Sequence, residues 1–265
     1  MAPLFREYPW RLYIVLMLLF VFSSFAVIPY AMELQQKALQ DMQATAPVPV
    51  FVLILLQVLF NSVLFGIAIL FCLLLALRMQ LQFPLFDRLV YQRKLLSNYR
   101  RPILMSIALG AFVGLLIFAL DLWVFQPLLV SNNIELPESL NPAWWKGLLA
   151  SFYGGFAEEM MMRLCLLTFL AWLGRALVKD TGKPRSAIFW TANILIALVF
   201  GLGHLPATAA AGLPLTPLIV ARALVLNGIA GIVFGWLYWY RGLGFAMLAH
   251  FFADIVLHVF FPLFT

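Results

Sequence analysis

Six side chains in the C-terminal half of this sequence have the types and spacing to do chemistry: Glu158, Glu159, Arg163, His204, His250 and Asp254. All lie within apolar runs, where a charged group costs several kcal/mol unless it is paired or hydrated, so each calls for a reason. Glu158, Glu159 and Arg163 belong to the run Gly154-Gly155-Phe156-Ala157-Glu158-Glu159-Met160-Met161-Met162-Arg163. At about 100° per residue, Glu159 and Arg163 share a helical face. Glu158 and Arg163 diverge by about 140° on the same geometry. The spacing predicts that Arg163 neutralises Glu159 while Glu158 points elsewhere, toward another helix. A carboxylate in low-dielectric surroundings with no cation beside it has the basicity that a general base needs near neutral pH. A packing role for a Glu–Arg pair accounts equally well for Glu159 and Arg163. It does not account for Glu158, about 11 residues and roughly 16 Å into its apolar run.

The second pattern is Phe200-Gly201-Leu202-Gly203-His204, followed by Pro206. Glycines and a proline loosen the helix around a lone histidine, which alone is as consistent with a hydrogen-bonded packing residue as with a reactive one. The third is His250-Phe251-Phe252-Ala253-Asp254, with His258 four residues on. This spacing strings the three polar groups along one stripe. Histidine and carboxylate on one face can bind a metal, polarise an oxyanion or shuttle a proton, or simply hydrogen-bond to each other inside a bundle. His258, nearer the end of its run, suits an interfacial role.

The elements that must position these groups follow from composition. The chain has 265 residues, 65% hydrophobic and only 11% charged, against about 25% charged in soluble domains. Its mean hydropathy is +1.00. That much apolar surface cannot be hidden in a soluble fold of this length. Roughly 20 apolar residues cross about 30 Å of hydrocarbon as a helix. Seven stretches qualify: Leu12–Tyr30, Phe51–Leu77, Ile103–Phe125, Gly147–Leu173, Ala187–His204, Pro217–Tyr240 and Phe245–Leu263. The expected fold is therefore all-α, a polytopic transmembrane bundle of seven or eight spans. No repeat or extramembrane domain is evident. Residues 1–146 read as motif-free membrane helices and 147–265 as the functional core. Cys72 and Cys165 lie inside apolar runs and read as packing residues.

The net charge of +6 is an orientation signal, and nucleic acid is not needed to explain it. Thirteen basic residues fall in alternate connections: Arg6 and Arg11; Arg78, Arg88, Arg93, Lys94, Arg100 and Arg101; Arg175, Lys179, Lys183 and Arg185; and Arg241. The intervening ones hold only Lys37 and Lys146. The positive-inside rule then places the N-terminus in the cytoplasm of a multi-pass cell-membrane protein, and the short loops suit a bacterial one. Arg78–Arg101 can lie on anionic lipid as a short amphipathic helix.

Glu-Glu-x-x-x-Arg, then Phe-x-x-x-His, then His-x-x-x-Asp, in order on separate apolar spans, resembles the CPBP family. These are the CAAX-prenyl-protease and bacteriocin-processing intramembrane peptidases, also called the Abi family. The run Phe234-Gly235-Trp236-Leu237-Tyr238 through Gly242-Leu243-Gly244 is similar to that family's stretch before its last motif, and the likeness covers about Gly147 to Leu263. The resemblance implies hydrolysis of a peptide bond in a membrane-associated peptide or protein. Glu158 with His204 would activate water, Glu159 and Arg163 would hold the site together, and His250 with Asp254 would stabilise the oxyanion or bind a metal. Members are usually described with asparagine at the place of Asp254. An amide can donate to an oxyanion, whereas an ionised Asp would repel it. Asp254 is then protonated, orients His250, or ligates a divalent metal such as zinc with His204 and His250. The alternatives are a catalytically silent scaffold or immunity protein, and a proton-coupled transporter, for which Asp121 and Arg222 stand outside every motif. Straight spans would set His204 roughly 26 Å and His250 roughly 8 Å from the cytoplasmic side, so the fifth span is expected to be tilted, displaced or broken around Gly201–Pro206.

Overall fold

The computed structural model describes residues 8–45, 48–92, 99–136, 142–179 and 185–263, with backbone alone at Lys37 and Thr45. Arg6, Arg93, Lys94 and Lys183 lie outside the described residues. Among those described there are helices and no strand. The helices are α1 (Trp10–Leu34), α2 (Gln36–Thr45), α3 (Val50–Arg78), α4 (Arg100–Ser131), α5 (Trp144–Leu177), α6 (Ser186–Ala210), α7 (Pro217–Arg241) and α8 (Leu243–Leu263). All except α2 are long and apolar enough to cross a membrane, which makes this a seven-span multi-pass protein. Leu59, Phe60, Ile67, Trp123 and Val130 point outward from α3 and α4, as expected where lipid is the solvent.

Several helices outrun their apolar cores, because Trp and Arg at their ends sit at the interface while the backbone hydrogen bonds simply continue. The largest extension is α4, and the one that bears on the site is α6. It runs as one helix over Ser186–Gly203, bends at His204, and resumes as Leu205–Ala210 with Pro206 in the first turn. A proline has no N–H to give the preceding turn, so the helix breaks within Gly201–Pro206, where the sequence indicated.

Glycines fix the register of the site-bearing helix. A Cβ on Gly110 of α4 would run into the backbone of Ala249, and one on Gly114 into that of Ala253. Two pairs each four residues apart, in the same order, make α4 and α8 parallel neighbours. On its other side α8 meets α5 in the antiparallel sense: Gly147 abuts the His258 carbonyl, Gly154 the Asp254 carboxyl group, and Gly155 Met247 and Phe251. Small residues let membrane helices approach closely enough for dispersion to hold them. Thus α8 is gripped between α4 and α5. Helices α6 and α7 pack antiparallel through Gly231 against Ala197 and Gly235 against Asn193.

The turn from α7 to α8 is a single residue, Gly242, at φ +97°. Its N–H bonds the Tyr238 carbonyl at 2.9 Å and closes α7. That backbone conformation is open to glycine and strained for other residues. Asp121 of α4 and Arg222 of α7 form a two-pronged ion pair, Nε to Oδ1 at 2.6 Å and Nη2 to Oδ2 at 2.8 Å. Each of these two motif-free charges therefore has its partner in the other.

Candidate active site

The site is assembled by α5 and α8. Around the Glu-Glu motif α5 is wound with i→i+5 hydrogen bonds, over Tyr153–Glu158 and again over Met160–Leu167. Such π-winding is rare and recurs at functional sites. Arg163 pairs with Glu159 and Glu158 faces another helix, as the spacing indicated. That helix is α8, and both carboxylates reach the same imidazole, Glu159 at Nδ1 and Glu158 at Nε2.

Glu159 Oε1 lies 2.9 Å from His250 Nδ1 and 3.2 Å from Arg163 Nη2. An ionised carboxylate only accepts, so His250 donates from Nδ1. The Arg163 contact is an ion pair without hydrogen-bond alignment, and the guanidinium also sits 5.4 Å from the Phe200 ring centroid. Both side chains are sealed, at 0% and 1% exposure. His250 Nε2 is 3.7 Å from Glu158 Oε2 and 3.7 Å from Asp254 Oδ1. Glu158 and Asp254 retain 20% and 14% exposure, so these two carboxylates, and not Glu159, can meet water or substrate. A separation near 3.7 Å is wide for a direct hydrogen bond, and a water set to one side of the pair can contact both groups. Gly154 makes the approach possible, because a Cβ there would meet both Asp254 Oδ2 and His250 Nε2.

Aromatic side chains hold the imidazole. Phe234 of α7 stacks on His250 at 4.7 Å between centroids, tilted by 27°. Phe200 of α6 meets His250 edge-on at 5.8 Å and His204 edge-on at 4.8 Å. His204, at the bend of α6, places Nδ1 2.8 Å from the Phe200 carbonyl. A carbonyl accepts, so in the neutral ring Nε2 is left as an acceptor. Five of the six predicted residues thus come together, and His204 stands apart from them, adjoining the group through Phe200.

His258 leaves the stripe near the C-terminal end of α8, where its Nδ1 lies 3.3 Å from the Tyr30 hydroxyl of α1. Nearby, Lys146 pairs with Glu33. Among the described residues no group of three or more His, Cys, Asp or Glu side chains could hold a metal ion. The zinc set of His204, His250 and Asp254 does not assemble in this arrangement.

Phe234 stood in a run singled out for its resemblance, with no role attached. Two further buried contacts involve no ionised group and are not indicated by the charge pattern of the spans. Asn193 Nδ2 donates to the Ile232 carbonyl at 3.0 Å, and the Thr168 and Tyr238 hydroxyls lie 2.7 Å apart. Polar residues inside apolar spans were the available signal for both.

A seven-span helical membrane protein with a buried cluster of three carboxylates, an arginine and an imidazole shared between two glycine-fitted helices defines the class. Residues 140–256 match the family described as type II CAAX prenyl endopeptidase, Rce1-like. The resemblance to the CPBP peptidases is shown over that segment, which contains all six residues above. No curated protein and no solved structure matches the chain.

Proposed function

We propose that this protein is an intramembrane endopeptidase that hydrolyses a peptide bond of a membrane-associated peptide or protein, with Glu158 as its general base. The observation that carries the reading is the partly exposed Glu158 carboxylate facing His250 Nε2 across 3.7 Å, beside the sealed Glu159–Arg163 pair. A water set to one side of Glu158 and His250 would donate one proton to Glu158 while its oxygen adds to the scissile carbonyl carbon. The carbonyl π-bond becomes an oxyanion, which His250 stabilises from Nε2 when the ring is protonated. Collapse re-forms the carbonyl and breaks the C–N bond, and Glu158 returns its proton to the departing amine. Glu159 fixes the imidazole through Nδ1, and Arg163 neutralises Glu159. Asp254, its Oδ1 3.7 Å from Nε2, orients the imidazole as an acceptor in the resting site, and Nε2–H turns to the oxyanion as it forms; Asp254 is not itself a donor to the oxyanion. His204, its Nδ1 committed to the Phe200 carbonyl, stands apart from the cluster and has no part in this step.

The matched family is described by prenylated CAAX termini, and a peptide ending in such a terminus is the first substrate to try. Glu158→Gln keeps size and polarity and removes the base. Its turnover should fall by at least about 100-fold, the low end of what a general base contributes, with the thermal stability of the purified protein unchanged. Retained cleavage by Glu158→Gln would overturn the assignment. The transporter reading loses its motif-free charges, since Asp121 and Arg222 neutralise each other.

A further inference from the structure

Away from the cluster, α1, α2 and the first half of α3 enclose a groove of about 350 Å³, within the range of ligand pockets. Its wall is mostly apolar, with Phe20 and Met32 among its lining, but it also carries Ser24, Gln57, Asn61 and Tyr153. Gln57 and Asn61 stand one turn apart on α3, roughly 10 and 16 Å into the span. Gln57 Nε2 donates to Asn61 Oδ1 at 2.9 Å. That bond fixes both amides and leaves Gln57 Oε1 and Asn61 Nδ2 without a partner among the described residues. An acceptor and a donor held side by side in hydrocarbon are costly unless something completes them.

An acyl chain cannot complete them, whereas a peptide main chain drawn out of its helix can. Such a chain presents a carbonyl and an N–H that lipid leaves unsatisfied, and it is tolerated at this depth only where protein covers it. The groove also reaches α5, the helix that carries Glu158. Tyr153 forms part of its wall, and the next residue, Gly154, is the one fitted against Asp254 and His250. We infer that this groove receives a segment of the peptide substrate, whose main chain bonds to the Gln57 and Asn61 amides. This inference rests on the peptidase reading and adds a recognition site in α1–α3, a region outside the family match at 140–256.

The test uses the full chain carrying Glu158→Gln, in nanodiscs of phosphatidylethanolamine and phosphatidylglycerol. The probe is a prenylated CAAX-terminated peptide with a benzophenone residue upstream. Crosslinks should map to groove residues of α1 and α3. Adding Gln57→Leu and Asn61→Leu, a change compatible with a lipid-exposed helix face, should weaken capture at least fivefold. With Glu158 restored, the same pair of substitutions should raise KM by a similar factor, with most of the loss in KM and not in kcat. Absence of crosslinks from α1 and α3, or capture indifferent to the two leucines, overturns the inference and leaves the groove to lipid. Capture and turnover are separate readouts. Turnover surviving Glu158→Gln would remove the proposed base without touching the groove.

Discussion

At the scale of residues, the cluster separates a sealed part from a reachable one. Glu159 and Arg163 are buried against each other, and truncating one partner of a buried pair leaves a charge that nothing compensates. Arg163→Met should therefore destabilise the protein by about 3–5 kcal/mol. Adding Glu159→Gln should recover part of that loss, as read by thermal unfolding of the purified protein. If Arg163→Met unfolds at the wild-type temperature, the pair does not hold the site. Asp254 poses the complementary question. Its Oδ1 lies 3.7 Å from His250 Nε2, so an orienting role asks for an acceptor there, and an asparagine carbonyl can serve as one. Asp254→Asn should keep turnover within about tenfold of wild type, a loss smaller than a general base contributes, while Asp254→Ala falls further. Equal, complete loss in both would show that the charge itself is required.

At the scale of elements, the glycines of α4 and α5 grip α8 by contacts of different kinds. A methyl at Gly110 would meet backbone, the Ala249 carbonyl, whereas one at Gly154 would meet the far ends of the Asp254 and His250 side chains. Backbone cannot step aside, so Gly110→Ala should lower the unfolding temperature by separating two helices, at about 1–3 kcal/mol. Gly154→Ala should instead leave most of the stability and lose most of the turnover, because the side chains that yield are Asp254 and His250. Similar losses of both quantities in the two variants would refute the distinction. Hydropathy made the spans legible to within a few residues, and the four-residue spacings located Glu159 with Arg163 and His250 with Asp254. The winding of α5 was not legible, because an i→i+5 bond leaves no mark in a 3.6-residue period, and neither was the contact of Glu159 with His250, which depends on how α8 packs. Nor was the role of α4: Gly110 and Gly114 bear no charge, and only their partners Ala249 and Ala253 reveal what they do. His204 was placed correctly at a helix break, but its distance from the carboxylates depends on packing around Phe200 that no spacing encodes.

At the scale of the whole molecule, the open quantity is which way the bundle faces. Alternation of basic connections argues for an inward N-terminus, and the parallel pairing of α4 with α8 agrees with regular alternation of seven spans. In that orientation Leu243, at the start of α8, is inside, and His250 lies seven residues or roughly 10 Å from that end. The groove, built from the second half of α1 and the first half of α3, then occupies the outer half, and a substrate segment held there reaches the cluster from outside. Both native cysteines are buried, so introduced cysteines can be read against a quiet background. Exposed Glu135, between α4 and α5, and exposed Gln92, after α3, lie on opposite sides of the bundle. In intact cells a membrane-impermeant maleimide should label Glu135→Cys and spare Gln92→Cys until the membrane is opened. The reverse pattern would invert the molecule, and the groove would then face the cytoplasmic leaflet with its contacts to Tyr153 unchanged. Equal labelling of both before permeabilisation would contradict the seven-span topology itself, since α4 is the one spanning helix between the two sites and its single crossing puts them on opposite sides.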